Sequence, residues 1–182
     1  MDLRDIFIIF FSYSVIGYIA EIFYLHILSK IRHIEYTHPT FGKLPFSPPY
    51  GMGVILCMWY IQTYPNNDIF VTASFCAITF SVIEYYSAIF CERFFHKKFW
   101  DYSDLPFNFQ GRICLLNMTL FVISGLFFIQ FLYTPTVEVL SGLSDYIKNI
   151  TTSVLMFIFV GYILESENTR FLTDEIRKRI SH

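Results

Sequence analysis

Ile113-Cys114-Leu115-Leu116-Asn117-Met118-Thr119-Leu120-Phe121-Val122-Ile123-Ser124-Gly125-Leu126-Phe127-Phe128-Ile129-Gln130-Phe131-Leu132-Tyr133 carries no formal charge. A helix crosses bilayer hydrocarbon with roughly 20 mostly apolar residues, and this run is long enough. Similar stretches lie on either side of it. Upstream are 69–91, which contains Glu84, a short one at 49–64, and 6–28, which is interrupted by Glu21; downstream is 147–164, weakened by Lys148 and Asn149 at its start. Composition agrees. Hydrophobic residues make up 54% of the 182, charged residues only 15%, and mean hydropathy is +0.48. A soluble domain is nearer a quarter charged, and a small water-soluble core cannot hide 22 Phe and 13 Tyr because too much surface stays outside. The expected fold is all-α: a polytopic integral membrane bundle of about five transmembrane helices. Residues 1–164 form its transmembrane domain and 165–182 a polar cytoplasmic tail.

The first run is expected to stay in the mature protein. Met1-Asp2-Leu3-Arg4-Asp5 is net acidic, the apolar run is long, and no A-x-A site follows, unlike a cleaved signal peptide. Orientation follows from Lys and Arg. Lys30, Arg32 and Lys43 follow helix 1. Arg93, Lys97, Lys98 and Arg112 lie between helices 3 and 4, and Arg170, Arg177, Lys178 and Arg179 lie in the tail. These eleven fall on one side, against Arg4 and Lys148 on the other. The positive-inside rule then places the N-terminus outside and the basic loops and C-terminus in the cytoplasm of a multi-pass cell-membrane protein. Pro65-Asn66-Asn67-Asp68 reads as a tight outer turn, and 135–146 as an outer, partly amphipathic connection.

Glu21 and Glu84 lie within expected spans. An ionised group in hydrocarbon costs roughly 2.5–3.5 kcal/mol on insertion scales, so both must face protein or a water-filled cavity. With the N-terminus outside, both fall in the cytoplasmic halves of their helices. Two readings stay open: a proton-, cation- or substrate-handling site, or a structural network that fixes helix packing. Loop residues at the same face can join them. Pro45, Pro48, Tyr50 and Gly51 make a Pro-rich turn into helix 2, either a rigid helix start or a broken, re-entrant segment. The segment Phe99-Trp100-Asp101-Tyr102-Ser103-Asp104-Leu105-Pro106-Phe107-Asn108-Phe109-Gln110-Gly111-Arg112 mixes aromatics with polar groups, which suits the headgroup level. It is expected to fold back on the membrane face, with Arg112 pairing a carboxylate of the site and Asn117 deeper in the network. The candidate polar site is therefore Glu21, Tyr24, Glu84, Trp100, Asp101, Tyr102, Ser103, Asn108, Arg112 and Asn117, opening to the cytoplasm.

Other chemistries lack support in the sequence. Cys57, Cys76, Cys91 and Cys114 sit in apolar runs without CxxC spacing and read as buried free thiols. His26, His33, His38 and His96 show no ligand spacing, so no metal and no cofactor are expected. There is no P-loop, HExxH or G-x-S-x-G, and a net charge of −2 gives no basic field for nucleic acid.

Four places carry a family resemblance. They are Phe11-Ser12-Tyr13-Ser14-Val15-Ile16-Gly17-Tyr18 with Glu21 and Tyr24; Pro45-Phe46-Ser47-Pro48-Pro49-Tyr50-Gly51-Met52-Gly53; Glu84-Tyr85; and Trp100-Asp101-Tyr102-Ser103 with Pro106-Phe107-Asn108 and Gly111-Arg112-Ile113. From about Phe10 to Tyr133 the chain resembles the ABC-transporter type IV permease family, also called CmpB-like. Leu44 and Pro49 depart from its pattern, where a Gly and an aliphatic residue are usual. The resemblance implies a permease-like membrane subunit among membrane lipids, with a separate ATPase subunit and a homodimer as possible partners. The alternatives are a membrane-embedded enzyme acting on a lipid or lipid-linked substrate, with Glu21, Glu84 and Asp101 as acid–base or metal-binding groups, and a structural or regulatory membrane protein.

Overall fold

Helix α1 (Leu3–Arg32) starts on a reciprocal cap. The Asp2 carboxylate accepts from the Asp5 N–H at 2.8 Å, and the Asp5 carboxylate accepts from the Asp2 N–H at 3.2 Å, which satisfies donors that a helix start leaves orphaned. The computed structural model describes residues 1–32, 45–96 and 98–165. Expectations about His33, His38, Lys43, Leu44, Lys97 and the tail 166–182 lie outside them. α2 (Pro48–Thr63) runs back against α1, and α3 (Ile69–Phe94) returns after a tight turn. In that turn the Asp68 side chain caps α3 by accepting from the N–H groups of Phe70 and Val71. A small antiparallel hairpin, β1 (Asn108–Phe109) with β2 (Ile113–Cys114), leads into α4 (Leu115–Phe127). A π-helical turn (Phe128–Leu132), α5 (Tyr133–Gly142) and α6 (Asp145–Glu165) follow.

α4, the π turn and α5 form one continuous helix, Leu115–Gly142. This corrects the expected helix end at Tyr133 and the outer connection over 135–146. Pro135 does not stop the helix. It lacks an N–H, and its ring crowds the carbonyl four residues earlier; the π turn just upstream absorbs that strain by widening the ladder.

Packing is arranged for a lipid solvent. α3 buries small residues, among them Ala73, Cys76, Ala77, Ser81, Ala88 and Cys91. It exposes Ile78, Val82, Tyr86, Phe90 and Phe94, a stripe at four-residue spacing. Water would select the reverse, whereas in hydrocarbon small residues let backbones close and large ones meet lipid. All four cysteines are buried free thiols. Among the described residues, three helices are long and apolar enough to cross a membrane: Leu3–Tyr24, Ile69–Phe94 and Leu115–Gly142. α2 has 16 residues, about 24 Å at 1.5 Å per residue.

Two contacts set the positions of the helices. The Ser47 N–H donates to the Ser14 carbonyl at 3.0 Å, so α2 starts beside the middle of the apolar part of α1. Gly51 makes this approach possible, because a Cβ there would strike the Phe10 carbonyl and the Ser14 hydroxyl. At the far end, Lys148 pairs with Asp5 at 2.7 Å, and Arg4 bridges Asp145 at 2.7 Å and Asn149 at 3.0 Å. The starts of α1 and α6 therefore meet at one end of the bundle, and the two helices run parallel.

Candidate functional site

Glu84 is the hub of a buried network that draws on four parts of the chain. Its Oε1 accepts from the Tyr102 hydroxyl at 3.0 Å and from the Asn117 Nδ2 at 3.0 Å. The Asn117 Oδ1 accepts from the Tyr24 hydroxyl at 3.0 Å. α3, the segment before the hairpin, α4 and α1 thus converge on one carboxylate. Its second oxygen, Oε2, is buried with no partner among the described residues. Buried polar atoms are nearly always hydrogen-bonded, so this oxygen is an exception, shared among the described residues with the hydroxyls of Ser14 and Thr152.

Glu21 is the second carboxylate of this region. Tyr50 is within electrostatic range of both carboxylates and of Tyr24, and the two carboxylates also sense each other. The Ser47 hydroxyl hydrogen-bonds Glu21. Ser47 is the N-cap of α2 yet makes no capping bond. A cap hydroxyl normally accepts from the second or third helical N–H. Here prolines fill the first two positions, and the Tyr50 N–H goes to the Ser47 carbonyl at 3.2 Å. The hydroxyl is therefore available for Glu21. Glu21 and Ser47 open onto a cavity of about 520 Å³. Its other walls come from α2, α3 and Trp100 and are mostly apolar.

The 98–114 segment presents Tyr102 to Glu84 through its own bracing. The Tyr102 N–H donates to the Gly111 carbonyl at 2.8 Å. Asn108 donates through Nδ2 to the carbonyls of Ser103 and Leu105 and accepts from the Gly111 N–H. The Trp100 indole donates to the Arg112 carbonyl at 3.0 Å. Gly111 sits at φ +66, where a Cβ would strike the side chains of Ser103 and Asp101. Phe107 and Gln110 take φ of 54 and 55, values that side-chain-bearing residues rarely adopt. Asp101 pairs with Lys98 at 2.8 Å and accepts from the Ser103 hydroxyl. Lys98, and then Ser103, hold its carboxyl down at about 2. Burial, and then the charge of Glu84, push the Tyr102 phenol well above its usual range, so it stays a hydrogen-bond donor.

Of the residues singled out in the sequence, the structure joins Glu84, Asn117, Tyr24 and Tyr102 directly, with Glu21 and Tyr50 in electrostatic range. Asp101, Ser103, Asn108 and Trp100 instead build the loop. Pro48 starts α2, Gly51 packs it against α1, and Pro45 is exposed ahead of it. Arg112 differs from expectation. Its guanidinium grips Glu92 at 3.2 and 2.6 Å, hydrogen-bonds Gln110, and lies 5.6 Å from the centre of the Tyr85 ring. Glu92 lies at the end of α3 nearest the hairpin, so Arg112 reaches it and leaves Glu84 to neutral donors. Sequence reading missed Ser47 and Glu92. A Ser followed by two prolines at a helix start is a signal that would have found Ser47. No group of three or more metal-ligating side chains occurs among the described residues.

A family model described as "Putative ABC-transporter type IV" matches residues 8–166, well over half of the chain. No curated protein and no solved structure matches it.

Proposed function

Because the chain belongs to the ABC-transporter type IV family, we propose that it is the membrane-embedded permease subunit of a transport system, with the Glu84 centre and the Glu21 cavity as its substrate-handling site. The chain crosses the cell membrane five times, α2 and α6 completing the set, with its basic connections in the cytoplasm. The charge bias of eleven to two supports this, as does the parallel run of α1 and α6, which an odd number of crossings requires. The sequence has no P-loop, so ATP hydrolysis comes from a separate subunit. Five helices are few for a complete pathway, and a second copy of the chain supplies the rest.

One observation carries the transport reading. Within an apolar helix, Glu84 keeps one oxygen fully buried and, among the described residues, unmatched. A scaffold acid would be expected to have both oxygens paired, because leaving a buried acceptor unmade is costly. The test compares cells producing wild-type protein, Glu84→Gln protein or neither, at equal membrane levels. Solute pools are profiled by mass spectrometry, and ATP-driven uptake is then measured in inverted vesicles. At least one solute class should shift with wild-type protein and return to baseline with Glu84→Gln. Coincident profiles and fluxes in all three would end the transport reading.

A further inference from the structure

We propose that the cavity at Glu21 binds an organic cation with an apolar body, the charge held at Glu21 and the body lying along the α2–α3 wall. The proposal rests on the membrane setting of the proposed function, and it names the substrate class of that site.

The cavity's volume of about 520 Å³ falls within the usual range for small-molecule sites, roughly 300–1,000 Å³. Among the described residues, Glu21 is the sole carboxylate in its lining, and neither Lys nor Arg lines it. An anionic head placed there would face Glu21 directly and Glu84 at longer range, while a cation is attracted by both. Trp100, Tyr86 and Phe90 add aromatic faces to the lining, and such faces attract cations through the ring quadrupole. The wall residues Met52, Val82, Tyr86 and Phe90 are also exposed on the outside of the bundle. The cavity therefore borders the hydrocarbon, and a guest with an apolar body reaches it from the lipid. A neutral apolar guest would gain nothing from Glu21 and Ser47, which are costly to keep there. The cation has two possible sources: a soluble lipophilic cation that partitions into the membrane, or the amine headgroup of a membrane lipid.

The test uses the full chain in nanodiscs made of phosphatidylglycerol. Equilibrium dialysis compares tetraphenylphosphonium with tetraphenylborate, probes of nearly the same shape and opposite charge. Wild-type protein should bind the phosphonium at least tenfold more tightly than the borate. Glu21→Gln should abolish that preference, and Val82→Trp should block binding of both by filling the wall with Glu21 left in place. Repeating the measurement with phosphatidylethanolamine identifies the source. Displacement of the phosphonium points to a lipid amine, and retention points to a soluble cation. Equal binding of the two probes to wild-type protein, or unchanged phosphonium binding in either variant, overturns the proposal. If Glu21→Gln fails to fold, wild-type charge preference and Val82→Trp still decide it. The two readings fail separately. Charge-selective binding without ATP-driven flux would leave this site standing and remove transport, and flux without such binding would do the reverse.

Discussion

At the residue scale the network around Glu84 is directional. Tyr102 and Asn117 both donate to the same oxygen, so removing one leaves the other. Tyr102→Phe should cost about 1 kcal/mol, in line with the net worth of a single hydrogen bond. Asn117→Ala should cost more, about 1–3 kcal/mol, because it also removes the acceptor of the bond that the Tyr24 hydroxyl donates. Reversible unfolding in mixed micelles gives both values, and equal effects would deny Asn117 its bridging place. Asp101 offers a pH prediction. Its carboxyl is held down from 3.8 to about 2, so folding binds fewer protons there than unfolding does. Its contribution is complete above pH 4 and disappears as pH falls through 2. The stability gap between wild type and Asp101→Asn should therefore be flat above about pH 5 and close towards pH 2. A gap that widens on acidification would reverse that assignment. Part of the buried polar network was legible in the sequence, because a polar group in an apolar run is costly enough to need a reason, as Glu84 and Asn117 illustrate. The destination of Arg112 was not legible. Burial ranked the carboxylates as candidates, whereas reach decided the pairing, and reach depends on a hairpin of two-residue strands that no periodicity announces.

At the element scale the junction of α1 and α2 fixes the cavity. Gly51 lets α2 close onto Phe10 and Ser14, and Gly17 makes room for the Tyr50 ring. Neither glycine is there for its backbone angles. Each is a hole into which the partner helix fits. Gly51→Ala should destabilise by about 1–3 kcal/mol, as overpacking of a tight contact does, and it should loosen the Ser47–Glu21 bond by pushing the start of α2 away. Exchange protection of the Ser47 N–H, which donates to α1, is the sensitive readout. Unchanged protection together with unchanged stability would mean that the helices do not meet there. The positions of α1, α2 and α3 were readable from hydropathy, within a few residues at each end. The extent of the fourth helix was not. Pro135 looks like a terminator in sequence, yet a π turn lets the ladder continue past it, and that accommodation depends on three-dimensional widening.

At the scale of the whole molecule, α6 is the helix that sequence made weakest, because Lys148 and Asn149 stand at its start. The structure turns this apparent defect into an anchor. Lys148 meets Asp5, with side chains 12% and 14% exposed, and Asn149 receives Arg4. Charges that weaken this stretch as a solitary apolar helix thus specify where α6 docks on α1 and in which direction it runs. Removing one member of a largely buried pair costs more than removing both, because the survivor keeps its desolvation and loses its counter-charge. Lys148→Met should therefore destabilise by about 1–3 kcal/mol, since Asp5 is part-buried and keeps its bond from the Asp2 N–H, while Lys148→Met combined with Asp5→Asn should recover part of that loss. The same three proteins allow a second readout. With the four native cysteines replaced, single cysteines placed at Ser144 and at Leu3 should be labelled from the same side of the membrane, and adding Lys148→Met should remove this agreement if the α6 start slips inward. A single substitution as mild as the double would show that apolar packing alone, such as Phe11 against Phe159 at 5.3 Å, holds α6 in place. Labelling of the two cysteines from opposite sides would contradict the parallel arrangement, and with it the proposed odd number of crossings and the proposed cytoplasmic placement of the basic loops.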